Sequence, residues 1–151
     1  MAQNTSPIFT QVPKISWTDL GSTTFVTSAV LGTGTAAYDG TSGAYLVFSA
    51  DSTDGSFIQK LVFEAGGTNA AGVARIFINN GSSNLTADNN CLYMQYTLPA
   101  TTAAAASATA HVEVPLNIQL PPNYRIYVAL GSGSNPIGAG GWGITAIGGD
   151  Y

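Results

Sequence analysis

His111-Val112-Glu113-Val114-Pro115-Leu116-Asn117-Ile118-Gln119-Leu120 is the stretch that decides the fold class. Val112, Val114, Leu116, Ile118 and Leu120 alternate without interruption with His111, Glu113, Pro115, Asn117 and Gln119. Successive side chains of an extended chain point to opposite faces. The spacing therefore puts five aliphatic groups on one face and polar groups on the other. Proline cannot donate to a strand ladder, so Pro115 predicts that this segment is an edge strand or breaks at a bulge.

Working outward, the same two-residue period recurs between turn signals. Upstream, 91–97 is an apolar run that begins at Cys91, and 72–79 runs into Asn80-Gly81, a pair that tolerates positive φ and marks a tight turn. Residues 56–65 carry Phe57, Leu61 and Phe63 on one face, with Lys60 and Glu64 on the other. Residues 44–50 and the β-branched run 23–31 come before it, and 123–130 and 142–147 follow the deciding stretch. About eight strands at this spacing predict an all-β chain folded as a single antiparallel β-sandwich or barrel. The Thr/Ala-rich stretch 100–110 has no long amphipathic stripe and reads as a linker or the start of a strand.

Residues 1–20 read differently. Pro7 and Pro13 disfavour helix and no period is present, yet Ile8, Phe9, Val12, Ile15 and Trp17 are apolar. This predicts an extended N-terminal arm, 1–20, lying on its own sandwich or on a neighbouring subunit, ahead of a sandwich domain, 21–151. Those five residues are candidate contact residues. Trp142 joins them, because Gly140-Gly141-Trp142 would let backbones approach closely near a subunit axis.

Only 8% of the 151 residues are charged, against about 25% in a typical soluble domain. Charge keeps free monomers apart, and interface cores are depleted in it, so the composition predicts association with other protein chains. Lys14, Lys60, Arg75 and Arg125 are the four basic residues, scattered through a chain of net charge −4. Binding nucleic acid requires a basic stripe to neutralise phosphates, and none is present. No segment has the ~20 consecutive apolar residues of a membrane-spanning helix. The first twenty residues lack the basic start and apolar run of a signal peptide, which predicts synthesis in the cytoplasm.

The elements of a catalytic or metal site do not converge in the sequence. Cys91 and His111 are the sole cysteine and histidine, with nothing to tie them together, and Cys91 reads as a buried, inert thiol. Glu64 and Glu113 occupy polar positions of alternating strands and read as solvated faces. Asp51-Ser52-Thr53-Asp54-Gly55 lacks the alternate ligands and closing glutamate of a calcium loop and reads as a turn. The expectation is a protein that is not an enzyme and uses no cofactor or metal. Tyr93, Tyr96, Tyr124, Tyr127 and Trp142 leave a carbohydrate-stacking platform as the alternative to a protein-binding surface.

Three pieces carry a resemblance. They are Gly72-Val73-Ala74-Arg75-Ile76-Phe77-Ile78-Asn79-Asn80-Gly81, Leu120-Pro121-Pro122-Asn123-Tyr124-Arg125-Ile126-Tyr127-Val128 and the terminal Gly148-Gly149-Asp150-Tyr151. With the strand order, over roughly 21–151, the chain resembles small tailed-bacteriophage virion proteins of the capsid decoration (cement, or head auxiliary) type. The resemblance implies a jelly-roll-like sandwich assembled as a homotrimer on the capsid surface, with the major capsid protein as its partner. It leaves a tail or fibre-base component as the alternative placement.

Overall fold

The computed structural model of the chain describes residues 10–17, 38–131 and 140–151. Within them lie eight strands: β1 (Val12–Trp17), β2 (Ala44–Ser49), β3 (Ser56–Ala65), β4 (Gly72–Asn79), β5 (Asn90–Leu98), β6 (His111–Leu120), β7 (Arg125–Gly131) and β8 (Trp142–Asp150). They form two four-stranded sheets of order β1-β8-β3-β6 and β2-β7-β4-β5, with every pairing antiparallel.

These orders reveal one organising pattern. β1 pairs with β8, β2 with β7, β3 with β6 and β4 with β5. The chain is thus one long antiparallel hairpin with its tip at β4–β5, rolled so that β8 also meets β3 and β7 also meets β4. This is the eight-stranded jelly roll, a pair of sheets made from two interlocked Greek keys. Every connection crosses from one sheet to the other except β4 to β5.

The two inner faces make the core. Ile58, Leu61 and Phe63 of β3, Val114, Leu116 and Leu120 of β6, and Trp142, Ile144 and Ala146 of β8 project from one sheet. Val47 and Phe48 of β2, Ala74 and Ile76 of β4, and Ile126, Val128 and Leu130 of β7 meet them from the other. Each large side chain contributes roughly 1.5–3 kcal/mol by leaving water. A smaller cluster, Phe77, Tyr127 and Ala129, lies on the outer face of the second sheet with Ala44 and Leu92 beside it.

The deciding stretch behaves as its alternation requires. His111, Glu113, Pro115, Asn117 and Gln119 are exposed, while Val114, Leu116 and Leu120 are buried. Both expectations for Pro115 hold: β6 is an edge strand, and its register against β3 shifts between Ile58 and Lys60. Residues 116 and 117 bulge there, and Asn117 adopts φ 51°.

Four expectations change. First, residues 12–17, read as part of an extended arm, are a regular strand at the edge of the chain's own sandwich, which is one of the two placements expected for the arm. Pro13 is tolerated because, among the described residues, β1 pairs on one side only. Second, Phe57 is not in line with Leu61 and Phe63. Gln59 is an extra residue against β8, and the bulge inverts the phase so that Ile58 enters the core. Third, Asn80-Gly81 is a turn, with Gly81 at φ 91°, but it opens a longer connection, 80–89, that includes one turn of 3-10 helix, Ala87–Asn89. Asn90 holds this connection by donating to the carbonyls of Asp39 and Asn84 at 2.9 and 2.8 Å. Fourth, Cys91 is exposed, because β5 is an edge strand. Ile8, Phe9 and the strand expected over 23–31 lie outside the described residues.

Gly148-Gly149 is where β8 lies closest to its neighbours. A Cβ at Gly148 would stand 2.2 Å from the Phe57 carbonyl oxygen, and one at Gly149 would stand 2.6 Å from Thr10 Cβ. Backbone on the opposing side cannot swing away as a side chain can. Gly148→Ala is therefore expected to lower unfolding free energy by about 1–3 kcal/mol, the usual cost of forcing extra atoms into a packed site. A urea midpoint shifted down with an unchanged m value is the expected result.

Candidate functional site

Two features of the outer surface stand apart, and both lie on the sheet β1-β8-β3-β6. The first is apolar. β1 places Ile15 and Trp17 two residues apart on its outward face, 62% and 61% exposed. Val12, at the start of the strand, is 56% exposed. Their cross-strand neighbours on β8, Ile147 and Thr145, extend the face inward from the edge.

The inward side of β1 is polar, and it is committed. Ser16 Oγ donates to the Val47 carbonyl at 2.6 Å, and Lys14 Nζ donates to the Ser49 carbonyl at 2.7 Å. Val47 and Ser49 belong to β2, the neighbouring edge of the other sheet. Two side chains of one edge strand therefore close the open side of the sandwich by bonding the backbone of the other. Lys14 Nζ also pairs with Asp150 Oδ1 at 3.1 Å and sits 5.0 Å from the centroid of the Phe48 ring. A groove of about 350 Å³ runs along this seam, lined by Lys14, Ser16, Trp17, Leu46, Val47, Phe48 and Ser49. Its exposed wall is Trp17 and Leu46.

The second feature is ionic. Glu64 Oε2 lies 2.7 Å from His111 Nδ1, Glu113 Oε1 lies 2.6 Å from Lys60 Nζ, and His111 Nε2 is 3.7 Å from Glu113 Oε1. β3 and β6 put these four residues on the outer face through the pairings Glu64↔His111, Val62↔Glu113 and Lys60↔Pro115. The hydrogen bond to Glu64 holds the His111 pKa above its ordinary value, and the bond from Lys60 holds that of Glu113 below its own. The arrangement balances two cationic positions against two carboxylates on an outward sheet face.

Other sequence candidates resolve into structure. Asp51 Oδ1 accepts the N–H groups of Thr53 and Asp54 at 2.8 and 3.0 Å, the geometry of a turn. Those backbone bonds lower its pKa. Ser56, Asp150 and Lys14 are linked, Ser56 Oγ donating to Asp150, and Ser56 is fully buried. Cys91 and His111 stand on different sheets with different partners. Among the described residues, no three His, Cys, Asp or Glu side chains gather as metal ligands would.

The candidate contact residues divide. Ile15 and Trp17 form the exposed strip on β1, and Val12, also exposed, alternates onto the other face with Lys14 and Ser16. Trp142 is fully buried in the core, so its side chain cannot meet another chain. The inward phase of Ile144 and Ala146 explains why. Tyr127 is also buried, in the outer cluster of the second sheet. Sequence reading missed the committed donors Lys14 and Ser16. Their alternation with Pro13, Ile15 and Trp17 is the signal that β1 is a half-buried strand.

His111 supplies a test of the ionic group. Its raised folded pKa means that its contribution to stability is complete below the ordinary value near 6.5 and is lost as pH rises through the folded value. Glu64→Gln is expected to return the His111 pKa, followed by NMR titration, toward 6.5, and to remove that part of the pH dependence. High salt should weaken the shift, because all four groups are solvent-accessible.

A scan of protein-family models and a search of curated proteins each return no match to this chain.

Proposed function

We propose that this protein is a structural component of a bacteriophage virion that binds the outer surface of the capsid as a decoration, or cement, protein, docking through the outward strip of β1. The observation that carries the reading is that strip: Ile15 and Trp17 stand more than half exposed on a rigid edge strand, in a chain with few surface charges. Large apolar side chains scattered singly over a surface need no explanation. A Trp and an Ile on one strand face, continued by the apolar groove beside Trp17, form a patch of the kind that partners cover.

The jelly roll supports the reading without deciding it, since capsid and lectin domains share the architecture. The chemistry of the seam favours a protein partner over a sugar. A sugar site needs several polar groups converging on the ligand. Here the Lys14 and Ser16 donors are engaged by backbone carbonyls, and Trp17 and Leu46 offer hydrocarbon. The exposed aromatic residues are also divided: Trp17 lies on β1, whereas Tyr93 and Tyr96 lie on β5 of the other sheet. A decoration protein docked through this strip adds buried apolar surface across the seams between capsomers, at about 25 cal/mol per Å² before the cost of association.

Deleting residues 1–20 would remove β1 and with it an edge of the fold, so point substitutions make the cleaner test. Trp17→Ala is expected to weaken co-sedimentation with capsids stripped of this protein by at least about tenfold, as for an interface anchor. Its urea midpoint should stay near that of the wild type, because the side chain is already 61% exposed. Undiminished binding by the combined Ile15→Ser and Trp17→Ala variant would overturn the proposal.

A further inference from the structure

Among the described residues the sandwich has four edge strands, and three of them are blunted. β1 carries Pro13, and its Lys14 is held by Asp150 and the Ser49 carbonyl. β2 has its Val47 and Ser49 carbonyls occupied by Ser16 and Lys14. β6 carries Pro115, His111 and Glu113. These are standard devices that stop an edge from adding a further strand.

β5 has none of them except a bulge. Its nine residues, Asn-Cys-Leu-Tyr-Met-Gln-Tyr-Thr-Leu, include no charged residue and no proline. Tyr93 is the extra residue between the pairings Ile76↔Met94 and Phe77↔Leu92. Among the described residues β5 pairs on one side only, with β4. Cys91, Tyr93, Gln95, Tyr96 and Thr97 are all exposed along it. A strand of this length offers an edge about 30 Å long.

We infer that β5 pairs antiparallel with β5 of a second copy about a two-fold axis, joining two four-stranded sheets into one of eight strands. Charge permits this occupant, and symmetry favours it. The strand carries no charge that a second copy would repel, and the segment after it, 99–110, carries none either. Asp88, just ahead of the strand, is the nearest charge in sequence. Antiparallel pairing sets Asp88 of each copy beside the neutral end of the other and keeps the two carboxylates apart. A two-fold arrangement is self-complementary, so one edge suffices, and it is the commonest symmetry of soluble oligomers. Strand addition supplies backbone hydrogen bonds, and Tyr93 and Tyr96 add cross-strand contact.

Full overlap fixes the register. Asn90 stands opposite Leu98 of the second copy, Cys91 opposite Thr97, and Met94 opposite its own equivalent. The inference rests on the fold and on β5 alone and does not depend on the capsid reading.

The test uses the whole protein. Light scattering over a range of concentrations is expected to show a dimer. Tyr93→Lys places like charges diagonally across the axis and should raise the dimer dissociation constant at least about tenfold. Thr97→Cys sets a thiol opposite the native Cys91 and should give a covalent dimer under mild oxidation, whereas the wild type gives none. That bond should fail to form when Tyr93→Lys is added to the Thr97→Cys variant, which separates register-specific pairing from random oxidation. A monomer at every concentration, a trimer indifferent to Tyr93→Lys, or a covalent dimer formed by wild-type Cys91 alone would each overturn the inference. Trp17→Ala should leave the dimer intact, and Tyr93→Lys should leave the β1 strip intact, so the two readings fail separately.

Discussion

The roll depends on the junction at Asp150. Its carboxylate accepts from Ser56 Oγ and from Lys14 Nζ, its backbone carbonyl accepts from Gln11 N–H, and Lys14 reaches on to the Ser49 carbonyl. Four strands meet there: β1 and β8, the ends of the folded-over hairpin, together with β3 and the last residue of β2. A jelly roll pairs residues far apart in sequence, so its closure must offset the entropy of joining distant segments. Gly148 and Gly149 let β8 come close enough to both neighbours for one carboxylate to serve all of them. Removing a partner from such a half-buried ionic group leaves the other groups unsatisfied, which costs more than the bond itself contributes.

The scarcity of charge acquires a meaning once each cation is placed. Lys14 serves the junction, and Lys60 pairs with Glu113. Arg75 donates to Gln95 and lies 4.2 Å from the Tyr38 ring centroid, and Arg125 donates to the Ser82 carbonyl. All four basic residues therefore bond within the chain. A surface built this way steers no charged ligand over long distances and repels no identical neighbour set close beside it. On the proposed reading, recognition would fall to apolar side chains and strand edges, which act at contact.

The sequence disclosed strand identity more fully than strand phase. His111 to Leu120 was legible because its one bulge, at 116–117, left the alternation of buried and exposed residues intact. Phe57 was misplaced because the Gln59 bulge shifts β3 by one residue, and a two-residue period has no way to announce an insertion. Val47 and Phe48 enter the core side by side for the same reason, at the bulge between Leu46 and Phe48. β1 was hidden by Pro13, which signals irregular chain unless the strand is known to have a free side. Ile15 and Trp17 were legible as contact candidates through their apolarity. Trp142 was not separable from them, since an aromatic beside glycines looks alike at an interface and in a core until its β8 phase is known.

Among the described residues, the β1 strip and the β5 edge lie at opposite ends of the sandwich. The seam of β1 with β2 carries the apolar strip, whereas β5 and β6 form the far edges of the two sheets. Pairing through β5 leaves each β1 strip uncovered and turns the two strips away from one another across the two-fold axis. A dimer so built reaches two separate partner surfaces at once. The second contact then forms as an intramolecular event, so two weak apolar strips can hold where one would not. This is the geometry a bridging protein needs. It arises because Pro13, the Lys14 and Ser16 donors, and Pro115 with its neighbouring charges close the other edges and leave β5 bare among the described residues.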